Sequence, residues 1–265
     1  MTLLHTDISI ITTVKNRLDH FKKVFPSLVT QNQNQNYEII FVDYASNDNF
    51  KEELTHCIKY YKPLFSDKLK SIKRVFLDFD VPFNSGKAKN LGSVFSSSKW
   101  LSFTDIDVFL SMNYHRHWLD FLNQSENIFF SSRVQETTEH KSSRVSPRIN
   151  YGNMIVRSNN FLEIGGFDEE NLSWGGDDDD IIHRLKLLGL REINPHTDLD
   201  AEHITILHGD EDRLTYLESK EKSKEITTKK INKIYKNKDF LCKSYLKFYN
   251  SKKENINVEN AFTAS

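Results

Sequence analysis

"ISIITTVKNRLDHFKKVFPSLVTQNQNQNYEIIFVDYASND", residues 8–48, carries the pattern from which the fold class is read. Within it, Ile8–Thr12 and Glu38–Val42 are apolar strand runs, each followed by polar residues and then by a helical pattern. The same alternation continues down the chain to about residue 215. A mostly parallel sheet with crossover helices requires such an alternation, so the expected class is α/β with a mixed, mostly parallel sheet.

Two acidic features stand out against this pattern. The first is Asp105 and Asp107 in "KWLSFTDIDVFL", residues 99–110. Trp100–Phe103 reads as a short buried strand, so Asp-Ile-Asp follows at its C-terminal end, where open α/β sheets bind ligands. Alternate residues point the same way, and two hard oxygen ligands there suit Mg²⁺ or Mn²⁺ bridging to a diphosphate. A turn with two solvated aspartates is the competing reading. The second feature is "GGFDEENLSWGGDDDDIIHRL", residues 165–185, where a Trp-Gly-Gly turn precedes four consecutive carboxylates. Like charges repel, so Asp177, Asp178, Asp179 and Asp180 need a positive neighbour: a helix N-terminus, a metal or a cationic partner. Ile181, Ile182, Leu185 and Leu188 have helical spacing ending at Gly189, which supplies the helix. An acidic cap on a surface helix would explain the block without chemistry.

Composition bounds the rest. At 265 residues and 38% hydrophobic content the chain has room for one catalytic α/β domain and a smaller appendage. A net charge of −1 gives no pull toward nucleic acid. No apolar run is long enough to span a bilayer, and "MTLLHTDISIITT" lacks the basic segment and cleavage site of a leader, so a cytoplasmic location is expected. Cys57 and Cys242 lack metal-ligand spacing and read as two reduced thiols. Charge is uneven, however. Residues 220–254 hold 12 Lys and no Arg against 4 acidic residues, with Ile231, Ile234, Tyr235, Leu241, Tyr245, Phe248 and Tyr249 at helix-like spacing. We therefore expect a basic amphipathic helical tail over 216–265, with residues 255–265 as a frayed end. Its apolar faces either pack on the domain or make a peripheral contact with anionic lipid on the inner face of the plasma membrane.

Six blocks in one order give a resemblance: "ISIITTVKNRLDHFKKVFPSL", "YEIIFVDYASND", "FNSGKAKNLG", the Asp-Ile-Asp, "YGNMIVRSNNFLEIGGFDEENLSWGGDDDD" and "HITILHGD". Together they resemble a family 2 inverting glycosyltransferase of the GT-A fold. The second half is similar to the C-terminal region of the β-1,4-galactosyltransferases. The resemblance covers residues 7–210 and implies a Rossmann-like nucleotide-diphospho-sugar transferase domain over 1–215. Its nucleotide-sugar half would span about 1–110 and its acceptor half about 111–215.

The resemblance also implies site residues. Asp105 and Asp107 fall on the metal-binding D-x-D, and His208 on a histidine that completes the metal shell with Asp107. An imidazole among oxygen ligands favours Mn²⁺, with Mg²⁺ as the alternative. The animal enzymes place a methionine ligand where this chain has Thr205, and water or His203 would replace it. Asp43 matches the aspartate that binds the nucleotide, although Tyr44 stands where the family usually has a second acid, and Thr12 would line the same pocket. Lys87 or Lys89 would face the diphosphate, and Lys87 is the expected one; Asn90 would secure the helix start or the neighbouring loop. Asp178 matches the general base. Asp177 and Asp179 would bind acceptor hydroxyls, Trp174 would stack on a sugar, and Gly175 and Gly176 would let the donor loop move.

The expected function is metal-dependent transfer of a hexose or N-acetylhexosamine, galactose or N-acetylgalactosamine favoured, from a UDP-sugar to a glycan or lipid-linked acceptor. Bacterial surface polysaccharide synthesis is the expected setting. A non-catalytic sugar-nucleotide or glycan-binding protein of the same fold is the alternative. A glycoside hydrolase would need no D-x-D or nucleotide-shaped sheet. The chain contains no G-x-x-x-x-G-K-[ST] phosphate loop.

Overall fold

The computed structural model describes residues 6–137, 150–170, 176–194, 198–204, 225 and 245–264. They form a ten-stranded mixed sheet ordered β10-β3-β2-β1-β4-β7-β6-β9-β5, with β8 beside β6. Strands β1 (Ile8–Val14), β2 (Tyr37–Asp43), β3 (Leu69–Leu77) and β4 (Trp100–Thr104) run parallel. Helices α1 (Leu18–Val29), α2 (Phe50–Tyr61) and α3 (Ser85–Val94) connect them. Beyond β4 the sheet changes sense: β7 (Asn150–Arg157) is antiparallel to β4 and to β6 (Ile128–Thr137). Strands β8 (Arg191–Ile193) and β9 (Asp198–Ile204) run parallel to β6, and β5 (Val108–Leu110) pairs antiparallel with β9.

Every residue of β1, β2 and β4 is buried, which is why these strands read as continuous apolar runs: both faces are covered. On one face Phe21, Phe25, Phe41 and Phe50 pack in an aromatic cluster with ring centroids 4.8–6.1 Å apart, joined by Tyr114 and Leu119 of α4 (Tyr114–Leu122). On the other, Ala88 and Leu91 of α3, Phe161 of α5 (Ser158–Glu163) and Ile181 and Leu185 of α6 (Asp177–Leu187) cover Ile11, Ile40, Val42 and Phe103. The helix α3 approaches closely because of Gly92, where a Cβ would lie 2.4 Å from Ile11 Cγ2. Asn84 caps its start by accepting from the Lys87 N–H at 2.8 Å. The end of α6 is closed by Leu190 N–H to Leu185 O and Gly189 N–H to Lys186 O, with Gly189 at φ +96°, a Schellman arrangement.

The C-terminal expectation needs correction. Ile256–Thr263, expected as a frayed end, form β10, antiparallel to β3 at the sheet edge. Phe262 meets Phe65 edge-on at 5.1 Å, and Glu259 pairs with Arg74 at 3.1 Å and Lys51 at 3.4 Å. Of the expected helical tail, α7 (Lys247–Lys252) is a short helix; Tyr245, Phe248 and Tyr249 pack against the second core rather than facing outward. Residues 216–224 and 226–244 lie outside the described residues. No helix among the described residues is long and apolar enough to cross a membrane.

Candidate active site

Where β4 ends, Asp105 opens a turn closed by the Val108 N–H to Asp105 O bond of 3.1 Å. Ile106 is buried in the first core and anchors this turn, with a partly exposed carboxylate on either side of it. In β5, Val108 pairs with His203 of β9, so β9 runs toward the Asp105–Asp107 turn as it ends at Ile204.

The acidic helix meets this turn through Lys89. Lys89, on α3, is buried with its Nζ 3.5 Å from Asp178 Oδ1, 3.6 Å from Asp105 Oδ1 and 3.8 Å from Asp177 Oδ2. The Phe167 ring stands 5.1 Å from the same ammonium. Burial disfavours the charge on Lys89, but the carboxylates of Asp178, Asp105 and Asp177 outweigh it and its pKa is raised. Burial likewise pushes Asp178 up to about 8; Lys89 opposes this, and the charges of Asp177, Asp105 and Asp179 reinforce it. The arrangement thus places a carboxylate of raised basicity beside the D-x-D turn.

The four aspartates of α6 divide by environment. Asp180 is buried and bonded to Arg184, itself fully buried, at 2.6 and 2.9 Å; this makes Asp180 structural. Arg184 also donates to Ile164 O. Asp179 is exposed, whereas Asp177 and Asp178 face Lys89. Gly176 holds the helix start at φ +87°, which favours glycine.

Other expected residues stand elsewhere. Lys87 stands apart from this cluster of aspartates: its Nζ lies 5.6 Å from the Phe248 ring. The reason is helical phase, since Lys89 and Gly92 share a face of α3 that Lys87 does not. Asp43 is buried at the end of β2, with Arg74 Nε and Nη2 donating to Oδ2 at 2.9 and 2.5 Å and Ser46 N–H donating to Oδ1 at 2.9 Å. Tyr44 is buried against Phe83 and Phe248. Thr12 is buried in β1; its hydroxyl and that of Thr104, the residue before Asp105, are without hydrogen-bond partners among the described residues. Asn90 secures the loop before the acidic block: it accepts from Phe167 N–H at 2.8 Å and donates to Phe167 O at 2.9 Å. Trp174, Gly175, Thr205 and His208 lie outside the described residues.

Among the described residues no three ligating side chains cluster tightly enough to hold a metal alone. The donor set still fits a hard divalent cation, since Asp105 and Asp107 supply carboxylate oxygens from one turn. Such a cation would take its other ligands from water or a bound anion.

Residues 136–209 match the family model described as the N-terminal domain of galactosyltransferase. A search of curated proteins finds no match in sequence. Among solved structures, S. aureus TarS 1–349 in complex with UDP-GlcNAc is similar at a TM-score of 0.59 and 15% identity, over 77% of this chain and 60% of that one. The same protein with UDP gives 0.55 and 16%, over 75% and 60%. The mannosyltransferase PcManGT from Pyrobaculum calidifontis, in complex with GDP-Man and Mn²⁺, gives 0.58 and 15%, over 81% and 63%. The chain thus spans about 60% of the length of these relatives. The likeness is one of fold.

Proposed function

We propose that this chain, which has the GT-A glycosyltransferase fold, is a metal-dependent inverting glycosyltransferase. It moves a hexose or N-acetylhexosamine, galactose or N-acetylgalactosamine favoured, from a UDP-sugar to a glycan or lipid-linked acceptor. The observation that carries this reading is the convergence of Asp105, Asp177 and Asp178 on the buried Lys89. A D-x-D turn and a raised-pKa carboxylate on a helix from the other half of the chain are the two parts that sugar transfer from a nucleotide needs. The TarS structures with UDP and UDP-GlcNAc support a UDP-sugar, and PcManGT with GDP-Man and Mn²⁺ supports a divalent metal.

In this reading Asp105, Asp107 and His208 would hold Mn²⁺, which when bound would supply a counter-charge for the departing nucleotide. Asp43, fixed by Arg74, and Thr12 belong to the donor pocket, with Trp174, Gly175 and Gly176 closing over the sugar. Asp178 takes the proton from the acceptor hydroxyl as that oxygen bonds to the anomeric carbon. The bond to the nucleotide breaks on the opposite side, so configuration inverts. Asp177 and Asp179 orient the acceptor. Lys89 keeps Asp178 from being repelled by Asp105 before substrate arrives.

A panel of UDP-sugars, each with Mn²⁺ or with EDTA and a mixture of saccharide acceptors, tests the proposal by UDP release. Metal-dependent release from one donor supports it. Release unaffected by EDTA, or no release from any donor, would count against it.

A further inference from the structure

Glu169 is an acid that the proposed chemistry does not use. It is only 4% exposed and accepts from Asn90 Nδ2 at 3.0 Å, from Leu246 N–H at 3.1 Å and from Phe248 N–H at 2.8 Å. Burying a carboxylate is costly, and a position holding one with this many donors aimed at it is specific in what it joins. On one side is the loop 165–170 that leads to the acidic helix; on the other is the C-terminal segment 245–264.

The two are fitted closely. Gly166, at φ +59°, lies under the Tyr245 ring, so that a Cβ there would be 2.5 Å from ring carbons. Phe248 stacks on Tyr44 at 5.7 Å, directly after Asp43. The N–H of Phe248, in the first turn of α7, has no partner inside that helix, and Glu169 accepts from it and from the N–H of Leu246, the residue before the helix, across 79 and 77 residues of sequence. Asn90 completes the connection. It grips Phe167 and Glu169, and its neighbour Lys89 contacts Asp177 and Asp178.

We propose that Glu169 is a positioning residue for transfer. It fastens the segment 245–264 to the loop 165–170 and, through Asn90, holds that loop in register with Lys89, so it sets where Asp177 and Asp178 stand. The C-terminal segment is then part of the site's scaffold. This rests on the reading of Asp178 as the base, but the fastening itself can be measured without turnover.

Glu169→Gln in the full chain removes the charge, leaves one acceptor oxygen and turns an NH₂ toward N–H donors. The expected result is amide hydrogen exchange at Leu246 and Phe248 faster by about tenfold or more. It comes with a kcat lowered by about tenfold and a smaller change in donor KM, because Thr12, Asp43, Asp105 and Asp107 lie on other elements. Lys247→Ala, which removes only the exposed pair with Glu170, leaves both unchanged. If Glu169→Gln does not fold, Phe248→Ala loosens the same junction through its aromatic contacts, and the same pattern is expected. Unchanged exchange at Leu246 and Phe248 would overturn the fastening. Accelerated exchange with full kcat would overturn the positioning role. A parent that turns over no donor refutes the transferase reading instead, and the exchange measurement still decides the fastening.

Discussion

Lys89 lies within ion-pairing distance of three carboxylates while itself buried, so its ammonium offsets their charge. Lys89→Met would remove that ammonium from among the carboxylates and is expected to lower stability at pH 8 by about 3 kcal/mol in a denaturant titration. Asp178→Asn should act in the opposite direction. In the unfolded chain Asp178 ionises near its ordinary value of 3.8, whereas in the fold it does so at about 8. Between those values the native state keeps a proton that the unfolded chain has released, so this group's contribution to stability falls across that window and is level above it. Measured in EDTA, Asp178→Asn should therefore melt a few degrees above the parent at pH 8.5 and converge with it near pH 4. Equal melting at both values would contradict the raised pKa. The sequence showed Asp105 and Asp178 as candidates, but it named Lys87 and Lys89 only as cations near a diphosphate and not as partners of these acids. Which lysine faces the acids depends on how α3 lies on β1 and β2, and Asn84 and Gly92 carry that information only once the helix has been built.

At the scale of elements, α3 is set by one close approach. Gly92→Ala would push a methyl into Ile11 Cγ2, and Val42 Cγ2 at 3.0 Å blocks the other escape, so a loss of about 1–3 kcal/mol is expected by thermal melting. Because Lys89 rides on the same helix, donor-dependent activity should fall with it. The strands β1, β2 and β4 were legible because both faces are covered and the sequence runs apolar; α6 was legible from its apolar spacing and Gly189. The strand β10 was not. "INVENAFT" is half polar and only partly covered, and it becomes a strand because β3 offers an unpaired edge and Arg74 a partner for Glu259. No local pattern in residues 256–263 records that partner.

For the whole molecule, one mixed sheet brings distant stretches to a single edge. The parallel half ends in Asp43 and Asp105, the antiparallel half leads to α6, and the C-terminal segment joins both through Glu259 with Arg74 and Phe248 N–H with Glu169. Those last two contacts cross 185 and 79 residues of sequence, which is why composition suggested a separate tail instead. The proposed transfer turns on Asp178. Donor binding by calorimetry and UDP release in Mn²⁺, measured on the parent and on Asp178→Asn with the donor that supports turnover, is the decisive comparison. With Asp178 as the base, the variant keeps donor affinity within about threefold of the parent and releases UDP about a thousandfold or more slowly. Release by Asp178→Asn at the parent's rate would show that another group takes the acceptor's proton, and would contradict that role.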